Sequence, residues 1–186
     1  IPAGGQKTYN VVFPSEGVFL MHDDMDGLDN QYLGLGAVIH VQNFGGETFY
    51  WNLKEHYSNW NFLLEYGASI NYEIFEPDYF TINGLSQPDL QDDPTAALHG
   101  KVGETIRLVI ANTGLMKHSI HFHGYHLEII SSSKYPSHAG RLKDSFPIDP
   151  MESLVLELIP NQPGEFPVHD HNLYATTGGG MEPNGM

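Results

Sequence analysis

Apolar and polar positions alternate in short runs along most of the chain, with glycine, proline and asparagine at the ends of the runs. The runs are Thr8 to Phe13, Ala37 to Val41, Tyr79 to Ile82, Thr105 to Ala111, Ser119 to His123, Tyr125 to Ile130, Ser153 to Ile159 and Phe166 to His171. A period of two, rich in β-branched and aromatic residues, predicts strands with one face in a core. Only Asn59 to Tyr66 and Pro94 to His99 read as short helices or turns, too few to alternate with strands in a parallel sheet. The pattern predicts an all-β sandwich or barrel.

The pattern also repeats. Gly17-Val-Phe-Leu-Met-His22-Asp23-Asp24 aligns without gaps on Gly164-Glu-Phe-Pro-Val-His169-Asp170-His171, with Gly, Phe, His and Asp coinciding. Upstream, with one gap, the strand and proline of Tyr9 to Pro14 fall on Val155 to Pro160. The offset is about one sandwich domain plus a linker. Residues 1–46 are therefore expected to be the closing strands of a first domain, residues 47–70 an aromatic linker, and residues 71–186 a complete domain. A length of 186 residues suits one domain and a further piece, since domains cluster near about 100 to 150 residues.

Composition narrows the chemistry. Eight Lys and Arg stand against 23 Asp and Glu, a formal charge of -15, which repels a phosphate backbone and excludes nucleic acid as an expected partner. The same field concentrates cations without choosing among them. No apolar run approaches the roughly 20 residues of a membrane helix. The absence of cysteine excludes disulfides, thiolate metal sites and thiol nucleophiles. Ile1 opens without a leader pattern, which fits a trimmed secreted chain or a piece of a longer one.

Eleven histidines in such a chain call for a reason, and six candidate positions fall into two groups. His118, His121 and His123 sit on one expected strand; His169, Asp170 and His171 sit on another. Side chains on a strand alternate between faces, so His121 and His123 share a face, as do His169 and His171. His118 and Asp170 have the opposite parity. Pairing the two strands side by side would gather four imidazoles on one face and bring His118 to Asp170 on the other. Neutral imidazole is the commonest metal ligand and suits copper, zinc, iron and nickel.

The run Lys117-His118-Ser-Ile-His121-Phe-His123-Gly124, preceded by Ile82-Asn83-Gly84 and Gly103-Glu-Thr-Ile-Arg-Leu, resembles the last cupredoxin domain of multicopper oxidases, the laccase and ascorbate-oxidase family. The resemblance covers about residues 71–182, and residues 1–46 resemble the end of the preceding domain. It implies a cupredoxin-like Greek-key β-sandwich with copper as cofactor. By position it makes His118 a type 1 copper ligand, His121 a type 2 ligand and His123, His169 and His171 type 3 ligands. His22 and Asp24 match ligand positions of the preceding domain, with Asp24 in place of a histidine.

The chain departs from the family at one group of positions. Asp170 stands where the type 1 cysteine belongs, Ala175 where the later type 1 histidine belongs, and Met181 lies one residue beyond the axial position near Gly180. A blue site rests on a copper-thiolate bond, so this centre is expected to be absent. A buried hydrogen-bonded pair of Asp170 and His118 is expected in its place, since an unpaired carboxylate there would be costly.

Two functions follow from the resemblance. One is a copper-dependent oxidoreductase without a blue centre, meeting dioxygen or another small reducible substrate at a domain interface. The other is a non-catalytic copper-binding or structural cupredoxin module. Either would sit outside the cytoplasm, periplasmic or secreted. A homo-oligomer or partner chain would complete the first domain and its ligand set.

Overall fold

A computed structural model describes residues 4–24, 28–180 and 183–186. Among these residues eleven strands form: β1 Gly17–His22, β2 Gly36–Val41, β3 Glu47–His56, β4 Tyr79–Ile82, β5 Ile106–Asn112, β6 His118–Phe122, β7 Leu127–Ser132, β8 Leu142–Lys143, β9 Ser145–Ile148, β10 Ser153–Leu158 and β11 Val168–Asp170. The helices are short: α1 Leu28–Leu33, α2 Ser58–Glu65 and α3 Leu173–Thr176. This is an all-β, cupredoxin-like sandwich. Among the described residues no helix is long and apolar enough to cross a membrane.

Two sheets face each other. One has six strands in the order β4-β3-β5-β10-β7-β8, the other three in the order β11-β6-β9. Alternation along β3 turns Trp51, Leu53 and Glu55 inward, and all three are buried. From the opposite sheet Ile120, Phe122, Phe146 and Ile148 meet them in one core cluster with Phe80, Leu108, Ile110 and Leu156. Trp51 stacks on Phe122 across the gap, ring centres 6.0 Å apart, and its indole N–H donates to the Ala96 carbonyl at 2.9 Å.

The β1–β2 hairpin forms its own two-stranded sheet and lies on the outer side of β3, where Asn52 and Lys54 point. Lys54 donates from Nζ to the Gln31 carbonyl of α1 at 2.9 Å. Tyr32 of α1 donates its hydroxyl to Asn61 Oδ1 at 2.6 Å and packs against Trp60. The aromatic residues after β3 thus close over α1.

The two copies of the repeated segment share a local geometry. Gly17 and Gly164 both take positive φ, 151° and 144°, a region glycine adopts freely. In each copy the phenylalanine two residues on folds back over the glycine: a Cβ added at Gly17 would meet Phe19 at 3.8 Å, and one at Gly164 would meet Phe166 at 3.1 Å.

The structure corrects the expected elements in two places. Residues 47–56, expected in a linker, form β3, which pairs in parallel with β5 and antiparallel with β4. Its polar residues hid it, because Glu55 turns into the core and Lys54 is covered by α1 instead of meeting solvent as in a linker. Thr8 to Phe13, expected as a strand, pairs with nothing among the described residues, and Val12 is 90% exposed. A strand needs a neighbour to satisfy its backbone groups, and none lies alongside. Two short strands, β8 and β9, were not anticipated; Pro147 interrupts the pattern of β9, which pairs on one side only.

Candidate metal centre

The register of β6 and β11 sets His121 directly opposite His169, with Phe122 opposite Val168 and Ile120 opposite Asp170. The ladder extends at both ends, through His171 N–H to the Ser119 carbonyl at 2.8 Å and His123 N–H to the Pro167 carbonyl at 3.0 Å. Opposed residues share a face, so His121, His123, His169 and His171 all point away from the core. Their rings gather closely: His121 lies 4.8 Å from His123, 5.6 Å from His169 and 5.4 Å from His171, centre to centre. His121 and His169 are half-buried; His123 and His171 are exposed.

Two of the rings are held by one nitrogen and offer the other. His121 directs Nδ1 at the Asp144 carbonyl (3.1 Å) and Ser145 Oγ (2.9 Å), and His169 donates from Nδ1 to the Asp170 carbonyl at 2.8 Å. This is the outer hydrogen bond that fixes tautomer and orientation in metal-binding histidines. It turns Nε2 of each toward the outward face, where it can act as a ligand. His123 and His169 bring their Nε2 atoms to 3.0 Å, the spacing of two nitrogens bound at right angles to one ion at about 2.0–2.1 Å.

The donor set fits copper in kind: imidazole alone, with no thiolate. In number it is open. Among the described residues no group of three or more His, Asp or Glu side chains is arranged to hold an ion by itself. The chain presents a partial ligand set on an outward face.

The opposite face holds charge in the core. His118 donates from Nδ1 to Asp170 Oδ2 at 2.6 Å and from Nε2 to Glu55 Oε1 at 2.5 Å, and all three side chains are fully buried. Burial alone would lower the His118 pKa, but hydrogen bonds to Asp170 and Glu55, with the charges of both, raise it to about 9. A ring donating from both nitrogens is an imidazolium and has no lone pair for a metal. The carboxylates are satisfied further: Asp170 Oδ1 accepts from the Ser119 and Asn172 N–H groups at 3.1 and 2.8 Å, and Glu55 from those of Leu115 and Met116 at 2.8 and 3.3 Å.

Glu55 had not been singled out from the sequence, where it sits 63 residues from His118 in the expected linker. The period-two pattern of Trp51, Leu53 and Glu55 was the available signal. Ala175 is fully buried in α3 and packs in the core cluster with Met186. Met186 is 5% exposed, and its N–H donates to the Ala175 carbonyl at 3.3 Å. Met181 lies outside the described residues.

His22 and Asp24 are not brought to the four histidines. His22 is exposed, its Nδ1 3.3 Å from the Asp23 carbonyl, and it borders a cavity of ≈ 90 Å³ with Asn52, Lys54, Thr113 and Met151. Asp24 is exposed at the end of β1. The hairpin covers the outer side of the six-stranded sheet, whereas the histidines lie on the outer side of the other, so the sandwich separates them.

Comparison with known proteins bears on the family and the fold. Residues 68–182 match the model of the multicopper oxidase family. Over 100 residues, 54% of this chain and 18% of the relative, the sequence is 32% identical to multicopper oxidase MmcO of Mycobacterium tuberculosis. Among solved structures, the blue copper oxidase of Nitrosomonas europaea superposes with a TM-score of 0.74 at 23% identity, covering 88% of this chain and 52% of that one. The multicopper oxidase mgLAC gives 0.76 at 20% identity, covering 91% and 54%. Copper nitrite reductase from Nitrosomonas europaea gives 0.67 at 21%, covering 88% and 60%. At these identities the superpositions establish the fold alone, and the chain spans little more than half of each structure. The family match covers most of the chain and includes every histidine of the outward face, and on that ground this chain belongs to the multicopper oxidase family.

Proposed function

We propose that the chain is a copper-binding oxidoreductase unit in which His121, His123, His169 and His171 hold copper of the type 2 and type 3 kinds at a domain interface, with no blue centre. Copper is the cofactor that family membership implies. The observation that carries the reading is the outward face itself: four imidazoles, two with Nδ1 tied off, and two Nε2 atoms 3.0 Å apart. Copper bound there would supply one-electron chemistry toward dioxygen or another small reducible substrate. The protein's part is to hold the rings in one tautomer and leave the remaining ligand positions open.

Those positions would be filled from a second domain or a second copy of the chain. His22 and Asp24, separated from this face by the sandwich, would serve a ligand set in a neighbouring copy. Residues 1–46 then belong to a preceding cupredoxin unit, which the shared glycine geometry of the repeat supports. A location outside the cytoplasm belongs to the same proposal.

A specific observation favours a second reading. The electron-entry positions are dismantled: His118 is engaged by two carboxylates, and Ala175 is packed in the core. Such a chain could bind copper without turning over. Copper stoichiometry with electron paramagnetic resonance and oxidase assays separates the two. A type 2 signal with turnover supports the oxidoreductase, and tight copper without turnover supports the binding module. Neither survives if the protein takes up no copper and His121→Ala changes nothing.

A further inference from the structure

The outward face depends on a slight element. Among the described residues β11 has three residues and pairs in its sheet with β6 alone, its other edge joining the C-terminal segment through the Asp170 N–H to the Met186 carbonyl at 3.4 Å, yet His169 lies within it and His171 directly follows it. Short edge strands fray readily, since few backbone bonds resist opening. What fixes this one lies on its other face. Asp170, between the two histidines, has both carboxylate oxygens occupied, and its carbonyl accepts from Thr176 Oγ1 at 2.6 Å as well as from His169. Through His118 the link crosses the core to Glu55 on β3, in the opposite sheet.

The far end is equally specific. The loop 114–116 closes on Glu55 with two backbone donors, and only glycine permits the approach: a Cβ at Gly114 would lie 2.3 Å from Glu55 Oε1. A packed apolar trio would be as stable as such a buried ion chain or more so, so stability alone does not account for it. Direction does. Holding the side chain of residue 170 fixes the rotation of the strand about its axis, which aims residues 169 and 171 at the opposite face.

We propose that the buried Glu55–His118–Asp170 chain positions His169 and His171 for metal by tying β11 to the far sheet. His118 and Glu55 are then positioning residues that act through Asp170 and never touch the metal. The link to copper rests on the function proposed above; the ordering of β11 does not.

The test compares full-length His118→Gln, Asp170→Asn and Glu55→Gln with Glu152→Gln. Glu152 is another buried carboxylate, bonded to Ser132 and to the Asp149 N–H just after β9, on the side of β6 away from β11, so its variant controls for general loss of stability. In metal-free protein, amide exchange at Asp170 and His171 should quicken by about tenfold or more in the first two variants but not in the control. After loading with copper alone, the same two should bind about tenfold to a hundredfold more weakly and show altered hyperfine splitting, as loss of outer-shell partners does. Glu55→Gln leaves one amide oxygen where two carboxylate oxygens accept, and, one link further from β11, should show the same two changes at smaller amplitude. Unchanged exchange and an unchanged copper spectrum in His118→Gln and Asp170→Asn overturn the proposal. If the parent protein takes up no copper, the function fails, and the exchange data alone decide whether the chain orders β11. If His118→Gln does not fold, Asp170→Asn and Glu55→Gln carry the same decision.

Discussion

His118 carries a proton where its family position would carry copper. Its pKa stands near 9 in the fold against 6.5 unperturbed, so the folded state binds this proton more tightly than the unfolded one. The resulting stabilisation is fully present below pH 6.5 and is lost as pH rises through 9. A shift of this size corresponds to about 3 kcal/mol. Denaturant unfolding followed across this range should show the parent losing about that much, while His118→Gln shows a flatter profile from a lower starting value. Equal slopes for the two proteins would mean that His118 is not the proton carrier. The pairing of His118 with Asp170 could be expected from parity and from the cost of an unpaired carboxylate. Glu55 could not be paired with His118 from sequence alone, because their contact depends on how the two sheets lie against each other. The burial of Met186 is likewise not encoded locally: residues 184–186 are held by backbone bonds to Phe80, Gln87, Ala175 and Asp170.

At the scale of elements, the strands legible in the sequence were those whose alternation survives in the fold. β5, β6, β7 and β10 fall close to their expected bounds, and the parity of β6 and β11 places all four histidines on one face. β3 was missed because both of its faces are covered, the inner by the core and the outer by α1, so its Lys54, Glu55 and His56 read as a polar linker. Yet β3 lies beside β5 in the larger sheet and supplies Trp51, which reaches across to Phe122. Trp51→Ala should therefore cost about 3–5 kcal/mol, the range for removing a buried aromatic ring. A chemical denaturation midpoint close to that of the parent would show instead that residues 47–56 behave as the linker first expected.

For the whole molecule, the decisive fact is that core and metal face are separate. The core cluster contains none of the four outward histidines, and every buried side-chain polar atom among the described residues has a partner. Folding of this sandwich therefore needs no metal, and chelation should leave its β-sheet circular dichroism unchanged. Metal should still stabilise it, because a ligand that binds only the folded state adds RT ln(1 + [L]/Kd). An open ligand set makes that gain depend on where the missing ligands come from. If a second copy supplies them, binding and association are linked, so the rise in melting temperature on adding copper should grow with protein concentration, and sedimentation should show a larger species only with copper present. The formal charge of -15 opposes the encounter of two copies, and salt should ease it by screening. A copper-induced rise that is the same at all protein concentrations, with a monomer throughout, would place the whole site within one chain and remove the partner from the mechanism.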